Sequence, residues 1–558
     1  MSTAKIIKNG QQPSQVALDS AAPGLPRAAV ILVLLLVIVV FGLIRYRQRN
    51  TPLERDEGEY AYSGQLLLQG IPPYKLACNM KLPGIYTAYA VILEVFGDTP
   101  AGIRMGLILV NSVTVLLLYF LAAAVFGRLA AVVTACSWGL LSASSGVMGF
   151  EAHATNFVVP PAMLGILLLV YALRSDRLGL FFLSGLLSGI GVLMKQHGAF
   201  FVLFCLLYLF WTARKRQDAL PMLLRRAAVY AAGVGLPYAI TCALLYKAGV
   251  FRQFWFWTVV YANEYSKMGL RRAIHYFLEN SARVAAPATL IWVLAALGLS
   301  AIWRGRSARR HAGFLALLLI CSFLSLCPGT YFHPHYWILF LPTVAILAGV
   351  GVSAATERLS EHFPSPMVRA TPAMVFLLCF GVGIFHQRQA YFSADPLVTF
   401  EATYPGGPYV QAVKIADYVE RHTAPTDRIA VIGSEPEIYF YAHRQSATVY
   451  IYTYSLIVWH KLTTRMREEF MRDLETNNPE YLVYVDVWDS WGEREGVPQA
   501  APFLARLQKY MNEGYEKEGV ANIGATTQYV WGEAARTYTP SSSSVIWVLR
   551  RRAQAKAP

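Results

Sequence analysis

Apolar runs, each close to the length that crosses about 30 Å of hydrocarbon, dominate the chain up to position 385. They fall at Ala28 to Leu43, Gly102 to Phe126, Leu129 to Val147, Thr155 to Leu173, Leu178 to Met194 and Gly198 to Trp211. More follow at Ala227 to Tyr246, Val284 to Ile302, Gly313 to Leu326, Tyr336 to Val352 and Thr371 to Phe385. The pattern predicts about eleven membrane-spanning helices within residues 28–390, after a tail at 1–27. Beyond Phe385 the periodicity changes. An amphipathic helix over Tyr409 to His422 precedes a strand over Arg428 to Ile432; a helix over Leu462 to Asn477 precedes a strand over Glu480 to Val485. A helix over Phe503 to Glu518 and a strand over Ser543 to Leu549 complete the series, and alternation of this kind predicts a small α/β domain over 391–558.

Composition agrees with an α-helical polytopic membrane protein carrying a C-terminal extracytoplasmic α/β domain: of 558 residues 55% are hydrophobic and 15% charged. A soluble globular class is excluded. Charge orients the spans. Arg128, Arg174 with Arg177, Arg214-Lys215-Arg216 with Arg225-Arg226, the arginines at 304, 306, 309 and 310, and Arg358 with Arg369 fall in alternate loops, which places those loops in the cytoplasm. The N-terminal tail, with Lys5, Lys8 and Arg27, joins them, and everything after Phe385 lies outside. The net charge of +15 partly reflects this bias. Without a soluble basic module it gives no support to a nucleic-acid partner. The first apolar run is followed by Arg45-Tyr46-Arg47 rather than a small-residue cleavage site, so it reads as a retained anchor. The seven cysteines are scattered, with only Cys78 clearly in an external loop, and predict neither a structural disulfide nor a CxxC metal site. The C-terminal domain has no GxGxxG and no phosphate loop, so nucleotide binding is unsupported.

The first external loop, 45–100, is long by the usual length of connections and carries Asp56-Glu57-Gly58-Glu59-Tyr60-Ala61, then Lys81-Leu82-Pro83-Gly84. Glu59 to Gln69 forms a short helix at the membrane interface, ended by Gly70 and Pro72-Pro73, with Asp56 at its start. Asp56-x-x-Glu59 also fits a capping box. The two roles are compatible, because a carboxylate that accepts backbone N–H bonds stays ionised and able to take a proton. Asp56 and Glu57 are the candidate catalytic carboxylates. Lys81, aimed by the turn after it, is a candidate phosphate ligand, against the plainer reading of a snorkelling lysine.

Glu151 and His153 stand at the outer end of the third span, where polar residues mark a cavity or an ordinary loop. Lys195-Gln196-His197 interrupts two apolar runs with hardly any loop; a lysine held there needs an anion, either a phosphate or Glu151. In Tyr331-Phe332-His333-Pro334-His335-Tyr336-Trp337 an interfacial belt explains the aromatics but not the two histidines. Phosphate or sugar contact by His333, His335 and Tyr336 suits them better than a metal. The stretch from Phe251 to Arg283, with Trp255, Trp257, Tyr261, Tyr265, Lys267, Arg271, Arg272 and His275, reads first as an interfacial anchor, with Arg271 a candidate for lipid phosphate.

Taken in order, Asp56-Glu57-x-x-Tyr60-Ala61, Lys81-x-Pro83, Gly191-x-x-x-Lys195-Gln196 and His335-Tyr336 opening a span that contains Pro342 resemble the GT-C glycosyltransferases. The similarity is to the bacterial protein O-mannosyltransferase and aminoarabinose-transferase-like group (glycosyltransferase families 39 and 83), and it covers Arg27 to about Phe385 with an external tail. The resemblance implies transfer of a monosaccharide from a polyprenyl-phosphate carrier to an acceptor lipid, glycan or protein on the outer face of a bacterial inner membrane. It makes Asp56 the catalytic carboxylate and Lys81 the phosphate ligand, with Tyr60 a candidate for binding the donor phosphate or sugar. Two departures matter: aminoarabinose transferases place Arg directly before this Tyr and Glu directly before this Lys, where this chain has Glu59 and Met80.

The residues then suggest a single displacement with inversion, Asp56 serving as base while Lys81, Lys195 and one of His333, His335 or Arg271 stabilise the departing phosphate. No cofactor is required; Glu57 or Glu151 could hold Mg²⁺ or Mn²⁺ through waters. The external domain reads as an acceptor-recognition or lid module. A transporter or flippase, a lipid-pyrophosphate-dependent polymerase or ligase, and a non-catalytic scaffold remain the alternatives.

Overall fold

In the computed structural model, which describes residues 26–265, 269–304, 309–492 and 498–552, each of the predicted apolar runs coincides with a helix. Among the described residues seven helices are long and apolar enough to cross a membrane: Arg27–Arg47, Pro100–Phe126, Ala154–Ser175, Gln196–Arg216, Leu220–Lys247, Leu270–Ala301 and Pro366–His386. Arg128–Ser142, Leu178–Met194 and Ala312–Leu324 are shorter apolar helices, and Leu341–His362 is buried along its first three turns. The expected external loop is not irregular. It holds two helices, Arg55–Leu68 and Pro83–Phe96, the second apolar and mostly buried. The span expected from Val284 belongs to a helical run that starts at Leu270. Its first half carries Leu270, Ile274 and Leu278 on one exposed apolar face. Lys5, Lys8, Lys267 and Arg306 lie outside the described residues.

At one end of the bundle the basic loops are tied together. Arg226 pairs with Asp176 at 2.7 Å and Asp218 at 2.6 Å, and Arg216 donates to the Leu173 carbonyl. The other end meets the C-terminal domain.

That domain contains one six-stranded sheet, order β2-β1-β3-β6-β4-β5, from β1 (Arg428–Ile432), β2 (Gln445–Ser446), β3 (Tyr481–Asp486), β4 (Tyr515–Ile523), β5 (Gln528–Trp531) and β6 (Ser544–Arg551). β2, β1 and β3 run parallel, and the β3–β6–β4–β5 half is antiparallel. β1 stands where the apolar run placed it. The helix expected over Phe503 to Glu518 stops at Gly514, because Tyr515 onward pairs with β6. Glu516, Lys517 and Glu518 favour a helix by composition, and ladder pairing overrides that preference. The buried side chains of this sheet form one cluster with those of the Arg55–Leu68 and Pro83–Phe96 helices, including Tyr60, Tyr62, Leu66, Tyr86 and Tyr89. The first-loop helix therefore lies between bundle and sheet, covered by protein from Glu57 to Leu66.

Candidate active site

The helix Arg55–Leu68 begins one residue earlier than Asp56, and its cap is Glu54. Glu54 Oε atoms accept from the backbone N–H of Asp56 at 3.0 Å and of Glu57 at 2.9 Å, while Glu57 Oε2 accepts from the Glu54 N–H at 3.5 Å. This capping box replaces the expected Asp56/Glu59 one and leaves the Asp56 carboxylate free of the backbone. Lys81 Nζ donates to Asp56 Oδ1 at 3.2 Å and to the Tyr60 hydroxyl at 3.1 Å. Lys81 is itself fixed by the Tyr74 hydroxyl, which donates to its carbonyl at 2.7 Å, and by Pro83 opening the next helix. Burial pushes the Asp56 carboxyl up, but Lys81, His153 and Lys195 outweigh it and hold the group well below the usual carboxylate range. Burial pulls Lys81 down, and Asp56 and Glu59 more than restore it. The pair stays charged.

Three histidines stand beside it. His153 Nδ1 is 4.0 Å and His335 Nε2 3.9 Å from Asp56 Oδ2, and the two rings stack at 4.1 Å. His333 stacks on the far side of His335 at 5.7 Å. Burial lowers His153 to about 3 and His333 to about 4, and burial with His153 pulls His335 down further, so all three are neutral at pH 7. The Nδ1 atoms of His153 and His335 are buried without a hydrogen-bond partner. One ligand atom each from Asp56, His153 and His335 lie within 4.8 Å of one another. An ionised carboxylate with two neutral imidazoles fits a divalent cation of the zinc or manganese type better than magnesium, which prefers oxygen.

Lys195, 5% exposed, caps the end of the Leu178–Met194 helix with Nζ 3.8 Å from the Tyr336 ring centroid. The ion pair with Glu151 that its position allowed is not formed. Burial, then Lys81, pull Lys195 well below the usual lysine range, and an anion beside it would favour its charged form. Gln196 donates to the Met80 carbonyl at 2.6 Å, which locks this turn to the Lys81 loop.

Other candidates point elsewhere. Glu57 is fully buried, pairs with Arg104 and accepts from the Ala152 N–H at 2.6 Å. The carboxylate thus fastens the loop to the bundle and does not face the site. Glu151 is buried beside the same pair with one unpartnered oxygen; burial raises its carboxyl to about 7. Neither joins the Asp56 cluster; among the described residues the group that could hold a cation is Asp56, His153 and His335. His197 is occupied by the Ser325 carbonyl, 2.7 Å from Nδ1, and by the edge of Tyr336. Arg271 is exposed on the Leu270–Ala285 helix, away from the cavity.

Asp56, Lys81, His153, His333, His335 and Tyr336 line one side of a cavity of about 340 Å³. The C-terminal domain lines the other with Tyr404, Tyr409, Tyr450, Tyr452, Tyr454, Ser455 and Asp489. Trp257 and Tyr261, expected as membrane anchors, reach the same cavity from a π-helical turn, Phe256–Tyr261; such turns recur at functional sites. Arg55 fastens the two sides by bonding Glu435 at 3.0 Å, Asp489 at 3.2 Å and the Ser434 carbonyl at 2.6 Å. Sequence reading missed Glu54, Arg55 and the tyrosine wall. The alternation Tyr450-x-Tyr452-x-Tyr454 was the one signal available.

Residues 81–241 match the dolichyl-phosphate-mannose-protein mannosyltransferase family. Among characterised relatives, the undecaprenyl phosphate-alpha-4-amino-4-deoxy-L-arabinose arabinosyl transferase of Pseudomonas paraeruginosa is 29% identical over 58% of this chain and 60% of its own length. One from Pseudomonas fluorescens is 27% identical over 59% of each. The chain thus spans about three-fifths of these relatives. Among solved structures, ArnT from Cupriavidus metallidurans bound to undecaprenyl phosphate superposes with a TM-score of 0.59 at 15% identity, over 94% of this chain and 98% of that one. The oligosaccharyltransferase AglB from Archaeoglobus fulgidus, in complex with an inhibitory peptide and a dolichol-phosphate, gives 0.51 at 13% identity over 90% and 74%. At such identities the likeness is one of fold.

Proposed function

We propose that this chain, which has the GT-C fold, is a multi-pass glycosyltransferase of the bacterial inner membrane. It moves a monosaccharide from a polyprenyl-phosphate donor to an acceptor on the extracytoplasmic side, with the N-terminus in the cytoplasm and the α/β domain outside. The observation that carries this reading is the Asp56–Lys81 pair, ionised and half-enclosed at the mouth of the bundle. The undecaprenyl phosphate-linked sugars named for the relatives support the donor class.

In the reaction the acceptor oxygen attacks the anomeric carbon, the bond from that carbon to the carrier phosphate oxygen breaks, and inversion results. Asp56 accepts a hydrogen bond from the acceptor hydroxyl and takes its proton as the new bond forms. Because its pKa is depressed, it is a weak base that receives the proton late, once the attacking oxygen has become acidic. Lys81, already bonded to Asp56, shifts its charge toward the departing phosphate, and Lys195 gains a partner there. The stacked His153 and His335 position the carboxylate and exclude water. A divalent cation held by Asp56, His153 and His335 would supply further positive charge for the phosphate when bound. Glu57 acts indirectly, by anchoring the helix that carries Asp56.

Incubating the purified protein with a panel of polyprenyl-phosphate monosaccharides, and following free polyprenyl phosphate by mass spectrometry, tests the assignment. One donor should turn over, and Asp56→Asn should lower its turnover by roughly 10²–10⁴-fold. No turnover of any donor, with extracted native acceptor present, would favour a transporter or a pyrophosphate-dependent enzyme.

A further inference from the structure

The two walls of the cavity differ in charge. On the bundle side stand Lys81, paired with the Asp56 carboxylate at 3.2 Å, and, behind Tyr336, a second lysine, Lys195. The domain side is an arc of rings: Tyr404 packs edge-on against Tyr409 at 5.5 Å, Arg55 lies between Tyr409 and Tyr454 at 5.7 and 5.4 Å, and Tyr454 stacks with Tyr452 at 6.0 Å. Three of these rings are fixed through their hydroxyls, and that of Tyr404 lies 3.4 Å from His153 Nε2. Tyr452 donates to Glu59 Oε2 at 3.0 Å, and Tyr454 to the Asp489 carbonyl at 3.0 Å. Arg55 and Tyr452 cover part of Tyr454, and Tyr404, Tyr452 and Tyr454 each keep some ring surface on the cavity.

Among the described residues this wall has a single cation, Arg55, and it is already bound by Glu435 and Asp489. Asp489 is 44% exposed, and its carboxylate adds negative charge to the wall. A phosphate entering here would meet that carboxylate without a free cation, and an uncompensated charge taken out of water is costly. A neutral pyranose meets no such penalty. Its C–H face packs on tyrosine rings, and its hydroxyls can donate to Asp489 and exchange hydrogen bonds with Ser455.

From this asymmetry we infer that the domain wall is an acceptor subsite for an uncharged saccharide, and that the accepting group is a sugar hydroxyl rather than a phosphate. The inference rests on the glycosyltransferase reading. The glycosidic bond forms between that hydroxyl oxygen and the anomeric carbon, the hydroxyl proton goes to Asp56, and the electron pair of the broken bond leaves on the carrier phosphate.

Two measurements on the full-length protein keep the readings apart. In the first, neutral alkyl glycosides and the same glycosides bearing a phosphate are compared as ligands by titration calorimetry, without donor. Neutral glycosides should bind at least 10-fold more tightly than the phosphorylated ones. Tyr454→Ala should weaken neutral binding at least 10-fold, while Tyr454→Phe, which keeps the ring, should restore most of it. Equal or tighter binding of the phosphorylated ligands, or wild-type binding by Tyr454→Ala, would overturn the subsite. In the second, both ligands are offered with the turned-over donor. Transfer to the neutral glycoside supports the inference, and preferential transfer to the phosphate sinks it while leaving the enzyme assignment standing. Failure of every donor sinks the enzyme assignment, and with it the acceptor role.

Discussion

Three carboxylates within four residues, Glu54, Asp56 and Glu57, take three different tasks because their surroundings differ. Glu54 caps a helix, Glu57 neutralises buried Arg104, and Asp56 meets Lys81 in the cavity. Asp56→Asn should therefore lower transfer by roughly 10²–10⁴-fold with thermal stability retained, as read from turnover beside a melting curve. Glu57→Gln should act on stability instead. It leaves the Arg104 charge buried and uncompensated, a loss of about 3–5 kcal/mol that should appear as poor accumulation or a lowered melting temperature of the purified protein. Glu151 supplies a pH signature. Its carboxyl is raised from 4.5 to about 7 by burial, against the pull of Arg104, so the folded state binds the proton more tightly than the unfolded one. That contribution is intact below the unfolded value and is lost as pH rises toward 7, to a total of about 3 kcal/mol. His153, lowered to about 3, works in the opposite sense over an overlapping range. The informative quantity is thus the difference between wild type and Glu151→Gln, and wild type should lose stability relative to the variant across that window in thermal scans at stepped pH.

Among the elements, the Arg55–Leu68 helix is the part that both halves of the molecule share. Gly58 sits where a side chain cannot: a Cβ there would stand 2.5 Å from the Glu437 backbone nitrogen and 2.6 Å from its Cβ. Tyr62 stacks on Tyr439 at 5.1 Å, and its hydroxyl accepts from the Ser446 N–H at 2.7 Å. Gly58→Ala should push the helix from the sheet domain and destabilise that contact by about 1–3 kcal/mol. The measurable result is faster proteolytic cleavage between 393 and 409 and reduced transfer, since Asp56 moves with the helix. Period alone could place the helix near Tyr60, but its apolar face did not say what would cover it. The cap was misplaced for a related reason. Asp56 fits the usual capping pattern and Glu54 does not, yet Glu54 takes the cap while the Asp56 carboxylate bonds Lys81, 25 residues further on.

Across the whole molecule, basic loops gather at one end of the bundle and the tyrosine-lined cavity opens at the other. If the positive-inside orientation holds, Lys215→Cys should resist a membrane-impermeant maleimide in intact spheroplasts and Gly524→Cys should react, both in a background without the seven native cysteines; the reverse pattern would invert the topology. The sequence by itself determined what depends on local period and composition: helices at each apolar run, the β1 strand, and the juxtaposition in one chain of Asp56, Lys81, Lys195 and His335 with a GT-C-like order. The helices and the strand follow from side-chain spacing and from the cost of placing charge in hydrocarbon, and the order of the four residues is what the family resemblance supplies. Tertiary structure alone decided which carboxylate faces the cavity, that His153 and His335 stack beside it, and that five tyrosines from beyond position 400 close its far wall. Those outcomes depend on contacts between distant segments, such as Tyr452 with Glu59, 393 residues apart, and Arg55 with Asp489, 434 apart, and no local pattern encodes the partner of a buried charge or the cover of an aromatic face.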